Sequence, residues 1–376
     1  MRFVLYTHSL VSDWNHGNAH FLRGILRELA ARGHDVLALE PAGGWSRSNL
    51  EQEQGNLPAE RFAQAFPDLT SVSYDAAFDH RAALDGADVV IVHEWTDPRL
   101  VAEIGALRRA GGKFRLMFHD THHRAVSAHA DIAALPLEAY DAVLAFGEAL
   151  RRRYEALGWG RRAFTWHEAA DTTIFHPMPN ITAKKDLVFI GNWGDGERAQ
   201  ELVEFLIEPA RRLDLTGTVH GVRYPEAAVA LLRGTRLHYT GWIANMDAPE
   251  AFARHRVTLH VPRRPYVETL PGIPTIRVFE ALAAGIPLVS APWDDIENLF
   301  RPGEDFLVAR DGTEMTAHLR ALVNEPDRAA ALAAQGLARI RERHTCAHRV
   351  DELIAILAKI DGADLGPQPQ GLEAVS

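Results

Sequence analysis

The segment Tyr266–Pro287, YVETLPGIPTIRVFEALAAGIP, carries the residue types whose spacing suggests the most definite chemistry. Pro271, Gly272, Ile273 and Pro274 form a tight loop, Thr275 takes a helix N-cap position, and Gly285 with Pro287 ends the helix. The first N–H groups of such a helix have no intrahelical acceptor, and its peptide dipoles make that end partly positive. An anion is the natural occupant. Arg277 falls in the first turn, where a cation opposes the dipole unless it serves an anion. Glu280, three residues on, can accept hydrogen bonds from vicinal hydroxyls such as those of a ribose. The set suits a nucleotide diphosphate, with Gly272, Ile273, Thr275 and Arg277 toward the phosphates and Glu280 toward the sugar of the nucleoside. A plain capped helix with a surface Arg–Glu pair at i,i+3 fits the same residues, and their chemistry alone leaves both readings open.

Further candidates flank this helix. GNWGDGERAQEL (191–202) is a glycine-rich turn entering a helix and offers Asn192 and Arg198 to a phosphate, although it fits a simple strand-to-helix turn equally well. HVPRRPY (260–266) places Arg263 and Arg264 after a strand; Arg264 is taken as the second diphosphate contact, with a solvated pair as the alternative. In the first half, THSLVSDWNHGNAHF (7–21) brings His16, Gly17 and Asn18 to a helix N-terminus on the cleft side. FHDTHHR (118–124) and HEWTDP (93–98) end two other strands. His119, Asp120, His122 and His123 are metal-ligand types, but adjacent residues rarely point at one ion and there is no HExxH helix, so no metal is expected. LRRRYEALGWGRR (150–162) fits a solvated helix face or a patch touching a membrane surface or an anionic acceptor.

These residues need a scaffold, and the hydrophobic pattern supplies one. Short apolar runs such as Arg2–Tyr6 and ADVVIVH (87–93) alternate with amphipathic stretches such as 20–32 and 98–110. That is repeated βαβ with a parallel, two-sided sheet. DTTIFHPMPNITAKK (171–185) breaks the texture, and a second series starts with LVFIG (187–191) and runs through HVP at 260–262 to FLVA (306–309). The expectation is two doubly wound α/β domains facing a cleft: 1–172, then 173–360 with a last helix free to cross back to the first domain, then a disordered tail at 361–376. The 376 residues carry a net charge of −10, which argues against duplex nucleic acid as a partner. One cysteine excludes an internal disulfide and fits a cytoplasmic setting. No apolar run approaches the roughly 20 residues of a membrane span.

FEALAAGIPLVS resembles the second half of the E-x7-E, A-x-A-x-G-x-P signature in the donor half of retaining GT-B glycosyltransferases, family 4 in particular. The stretches from LFRPGEDFLVARDGTEMTAHLRAL onward resemble the CgeB-type subgroup, and EAADTTIFHP (168–177) is similar to the interdomain GVD-x-x-x-F-x-P segment. The resemblance implies a GT-B fold and transfer of a sugar from a nucleotide-diphospho-sugar to an unknown acceptor. It implies retention and no metal cofactor, with Glu280 holding the ribose. It also implies base contacts from Tyr239 to Trp242, acceptor contacts from His16, Gly17 and Asn18, and a donor-sugar role for His119 or Asp120, which with Arg277 make the catalytic set. The first glutamate of the signature falls at Gly272, which leaves the sugar undefined. An epimerase-like enzyme on the same fold, or a non-catalytic nucleotide- or glycan-binding protein, are the rival readings.

Overall fold

The computed structural model describes residues 1–194 and 196–364. The first sheet contains β1 (Arg2–Tyr6), β2 (Asp35–Pro41), β3 (Ser71–Tyr74), β4 (Val89–His93), β5 (Arg115–Asp120), β6 (Ala142–Ala145) and β7 (Ala163–Thr165), in the order β3-β2-β1-β4-β5-β6-β7. The second contains β8 (Lys185–Ile190), β9 (Thr216–His220), β10 (Arg236–Gly241), β11 (His255–His260), β12 (Leu288–Ser290) and β13 (Leu307–Val308), in the order β10-β9-β8-β11-β12-β13. Every pairing is parallel. Both sheets therefore wind outward in two directions from a central strand, and each has a switch point: β1 beside β4, and β8 beside β11. Open parallel sheets present their ligand crevice at the carboxyl ends of the strands flanking such a point.

The apolar strands read from sequence are buried on both faces, as VVIVH of β4 shows. Several elements escape the periodicity, among them β3, β7 and the helices Trp45–Gln54 and Leu57–Ala65. The helix entered from GNWGDGERAQEL forms as Ala199–Leu202, a wider π turn at Val203–Ile207, then Glu208–Arg212. Pro209 accounts for the wide turn, because its ring has no N–H and crowds the carbonyl four residues back in an ordinary helix.

The last helix, Cys346–Asp364, leaves the second domain and packs on Ala19–Ala31 of the first. Gly24 permits this crossing, since a Cβ there would stand 2.5 Å from Cys346 Sγ. Trp166 Nε1 donates to the Arg349 carbonyl at 2.8 Å, and Arg32 pairs with Asp351 at 2.6 Å. The helix reaches into the expected tail as far as Asp364; residues 365–376 lie outside the described residues. No helix among the described residues is long and apolar enough to cross a membrane.

Candidate active site

Three helix N-termini meet between the domains. Ile276–Ala284 comes from the second domain, and Ala19–Ala31 and Glu148–Leu157 come from the first. Glycine makes the approach possible: a Cβ on Gly17 would lie 3.1 Å from Ile276 Cγ2, and one on Gly147 would lie 2.4 Å from Ile273 Cγ1.

Glu280 is fully buried at this junction. Its Oε2 pairs with Arg277, and its Oε1 stands 2.8 Å from His20 Nδ1 of the first domain. Glu168, from the interdomain segment, reaches the Ile276 amide at the same helix end and lies in the field of Arg277 and Glu280. Burial, and then the charge of Glu280, raise its carboxyl well above the usual range. Glu168 is thereby shifted toward its neutral form at this helix end, while Arg277 keeps Glu280 as its partner. Thr275 occupies the N-cap position but makes no side-chain cap bond; its Oγ1 lies 3.1 Å from His260 Nε2. Of the first-turn amides, that of Ile276 meets Glu168 and that of Val278 donates to the Thr275 carbonyl at 3.0 Å, so the Arg277 amide is the one left to face an anion.

Several expected contacts are redirected. Gly272 adopts φ +87°, and a Cβ there would sit 2.3 Å from Ile296 Cγ1, so the position where the resembled signature has glutamate is a turn that excludes side chains. Ile273 is buried apolar packing between the domains, and its carbonyl accepts from Trp293 Nε1 at 3.1 Å. Arg264 turns outward to Glu201 at 2.7 Å; its neighbour Arg263 pairs inward with Glu197 at 2.6 Å. Asn192 is committed to the loop and the interface, accepting from Val222 N at 2.9 Å and donating to Asn15 Oδ1. Arg198 Nη1 and Nη2 donate to the carbonyls of Val261 and Asn192 at 2.6 and 2.5 Å, tying the ends of β11 and β8 together. Burial, with Arg263 and Arg277 nearby, lowers its pKa to about 10. Arg198 therefore adds positive potential to the second crevice while its main donors hold the backbone. Trp242 packs with Val222 against Trp14 and Leu50 of the first domain, so it closes the domain interface. The rings that meet at the ends of β8 to β10 are Trp193, Tyr224 and Tyr239, tilted against one another with centroids 5.5 and 4.6 Å apart.

In the first domain, His119 is fully buried against Trp166, ring centroids 4.9 Å apart, and Phe21. It belongs to the core, because successive strand residues point to opposite faces of the sheet. Asp120 lies at the strand end, accepting from Tyr154 Oη at 2.7 Å and from the His122 amide at 3.1 Å. Glu94, at the end of adjacent β4, is held by Arg124 at 3.2 Å and is equally buried. Burial raises Asp120 to about 6, and burial with the Asp120 charge raises Glu94 well above its ordinary value. This carboxyl pair escaped the sequence reading because its members are 26 positions apart; only the β4–β5 register, His93 beside His119, makes them neighbours. Tyr266 of the second domain lies in the field of Glu94, Asp120 and Glu168, its ring 5.3 Å from that of His123. His123 also stands 3.4 Å from Glu197, and His167 stands 2.8 Å from Glu297. Gly17 serves the close approach described above, Asn18 makes no side-chain cap bond, and His16 is buried beside His8. Of the arginines of 150–162, Arg151 and Arg152 pair with Glu148 within their helix, and Arg153 donates to the Ala125 carbonyl at 2.9 Å. No group of three His, Cys, Asp or Glu among the described residues is placed to hold a metal.

Two doubly wound parallel-sheet domains meeting at a cleft, with ligand crevices facing each other, define the GT-B glycosyltransferase fold. Residues 198–355 match the family described as "Glycosyl transferase-like". Among solved structures, the chain is similar to sucrose-phosphate synthase from Thermosynechococcus elongatus, with 14% identity over 96% of this chain and 100% of that one, and a TM-score of 0.67. It is similar to HepE of Anabaena in complex with UDP-glucose, with 14% identity, 96% and 100% coverage, and a TM-score of 0.68. An alpha-glucosyltransferase in complex with UDP and a 13-mer DNA matches with 9% identity, 95% and 99% coverage, and a TM-score of 0.70. No curated protein matches the chain in sequence.

Proposed function

We propose that the protein is a glycosyltransferase that moves a sugar from a nucleotide-diphospho-sugar, with UDP as the first nucleotide to test, to an acceptor bound in the first domain. The carrying observation is the Ile276–Ala284 N-terminus, where Thr275 makes no side-chain cap bond and where Arg277 and buried Glu280 face the first domain through His20 and Gly17. The leaving diphosphate would be stabilised by the Arg277 side chain and amide and by the field of Arg198 and Arg263. These cations supply the charge that a divalent metal would otherwise bring, so the reading needs no metal cofactor. UDP complexes among the similar structures support the choice of nucleotide. We expect a cytoplasmic setting, which the single cysteine fits.

The family resemblance favours retention of anomeric configuration. Glu94 supports a second reading, inversion: its Oε1 is buried without a hydrogen-bond partner among the described residues, beside a second carboxyl that raises its pKa. A base of that kind can take the proton of an attacking hydroxyl. The anomeric configuration of the product by NMR separates the two.

The first experiment is a thermal-shift screen of the full chain against UDP, GDP, TDP, ADP and CMP, with and without EDTA. A ligand at about 100 times its Kd adds roughly 2.7 kcal/mol to stability. A selective, EDTA-insensitive shift with one diphosphate supports the proposal. No shift with any nucleotide sinks it, and a shift without transfer or donor hydrolysis favours a non-catalytic binding protein.

A further inference from the structure

The second sheet leaves part of one polar face open, and a groove of about 420 Å³ runs beside it. Thr216 and Thr218 of β9 stand in register with Arg236 and His238 of β10, so the four side chains share that face. Parallel sheets normally have both faces covered. Here the six-residue helix Ala248–Ala253 packs on β8 and β11 and extends no further. The groove lies between that helix and β9, and its lining includes Lys184, Lys185, Thr218, His220 and His255. Its volume falls within the range of small-molecule sites, about 300–1,000 Å³.

A chain of hydrogen bonds fixes one cation in the groove wall. Burial holds His255 below its ordinary pKa, and its Nδ1 lies 2.6 Å from the Ala251 carbonyl. A carbonyl only accepts, so Nδ1 carries the proton and Nε2 is the acceptor. Thr218 Oγ1 donates to that Nε2 at 3.1 Å and accepts from Lys185 Nζ at 3.0 Å. An ammonium has three donors, and this bond uses one. The surrounding carboxylates are engaged elsewhere. Asp247 pairs with Arg61 of the first domain at 2.5 Å, and Glu250 pairs with Arg254 at 2.5 Å. Asp186 accepts from Thr216 Oγ1 at 2.7 Å and stands 3.5 Å from Arg256. Lys184 and Lys185 have no carboxylate partner among the described residues. In a chain of net charge −10, the groove is a local island of positive potential. His220 registers that field: burial, then His255, Lys185 and Arg277, lower it to about 4.

We propose that this groove is a second phosphate site, for a small polyhydroxy phosphate ester or for the free anion, held by Lys184 and Lys185 with Thr218 and His220 beside them. Lysine binds phosphate as a point charge, and the phosphate oxygens match the donors left on Lys185. Hydroxyl and imidazole groups both donate and accept, as the hydroxyls of such an ester do. The site is separate from the nucleotide crevice. That crevice opens at the carboxyl ends of β8 and β11, whereas Lys184 and Lys185 stand at the amino end of β8. It also lies at the domain joint, because Asp247 in its wall holds Arg61 of the first domain. The inference does not depend on the glycosyltransferase reading.

The test is calorimetry on the full chain in phosphate-free buffer, with and without saturating UDP. The probes are glucose 6-phosphate, inorganic phosphate and glucose. At least one of the two phosphates should bind, equally well with UDP present, and glucose should give no signal. Tighter binding of glucose 6-phosphate supports the site with an ester as its occupant; equal binding of the two supports it with the free anion. Lys184→Glu, at an exposed position, should weaken binding by about tenfold or more and leave the UDP thermal shift unchanged. Lys185→Met should do the same, with its fold checked by circular dichroism. No binding of either phosphate, binding intact in both variants, displacement by UDP, or glucose bound as tightly as its phosphate would each overturn the proposal. If UDP does not bind at all, the glycosyltransferase reading fails while the two phosphates still decide this one.

Discussion

The two crevices occupy the same place in the same strand order yet carry opposite chemistry. Beside β1 and β4 the groups are neutral: imidazoles kept unprotonated by burial, indoles, and carboxyls raised toward their acid forms. Beside β8 and β11 they are charged and interlocked. Arg198, Arg263 and Arg277 share one field with Glu197 and Glu280, and although burial opposes it, His123 and Arg263 bring Glu197 down to about 2. Strand topology chooses where a ligand sits, and the loops after the strands choose what it is. The proposed transfer asks for such unlike surroundings, with a charged leaving group on one side of the cleft and its acceptor on the other.

The contrast is broken most severely at Arg277. Replacing it with alanine removes the cation nearest the open helix end and leaves Glu280 buried beside His20 alone. Transfer from the UDP-sugar should fall by about 10²–10³, the usual loss for one charge-stabilising donor. Steady-state kinetics on folded protein, checked by circular dichroism, measures it. Glu280→Ala comes next: UDP binding should weaken by about 1–3 kcal/mol, the range for a hydrogen bond to a charged group, read by calorimetry. An unchanged affinity would detach Glu280 from the ribose.

Gly272→Glu probes the same loop through the backbone. Installing the glutamate of the resembled signature should not raise activity, and it should destabilise the fold by about 1–3 kcal/mol through strain at positive φ. Urea denaturation gives the value. Adding Ile296→Ala should recover part of it by clearing the Cβ contact.

The neutral crevice predicts a pH signature. The folded His8 pKa, about 4, lies below the unfolded value of 6.5. Above pH 6.5 neither state is protonated and the group contributes no slope. As pH falls from 6.5 toward 4, the unfolded chain takes up a proton that the folded chain refuses, and stability declines by up to about 1.4 kcal/mol per pH unit for this group. His8→Gln should flatten the urea-derived stability profile over that window, and the slope rather than the absolute stability is the readout.

What the sequence showed and hid follows from the range of the interactions. The helix at Ile276–Ala284 with its Thr, Arg and Glu is local chemistry, written within ten residues, and it was legible. So were the βαβ repeats, because two-sided burial leaves continuous apolar runs. Glu168 and the Glu94–Asp120 pair were not, since their character comes from burial and from neighbours set by strand register. His119 misled for the complementary reason: a polar residue in a polar run looks like a site, and only the alternation of the strand turns it into the core beside Trp166. Trp45 belongs to a helix with little apolar periodicity, so its stacking on His8 had no signature in the chain.

The neighbouring arginines give the sharpest form of the comparison with the smallest expected effect. Arg263 and Arg264 are indistinguishable by type and one position apart, but the Arg264–Glu268 helix starts between their side chains and sends them to opposite sides. Arg263 joins Glu197, and through it His123 of the first domain; Arg264 joins Glu201 on the outer surface. An exposed ion pair contributes little, so Arg264→Ala should change kcat/KM by less than about twofold. Arg263→Ala should raise the KM for the donor, because it removes one of three clustered cations and frees Glu197, whose negative charge then opposes a diphosphate. Equal effects of the two substitutions would mean that the diphosphate reaches the outer face, and the second crevice would have to be redrawn around Arg264.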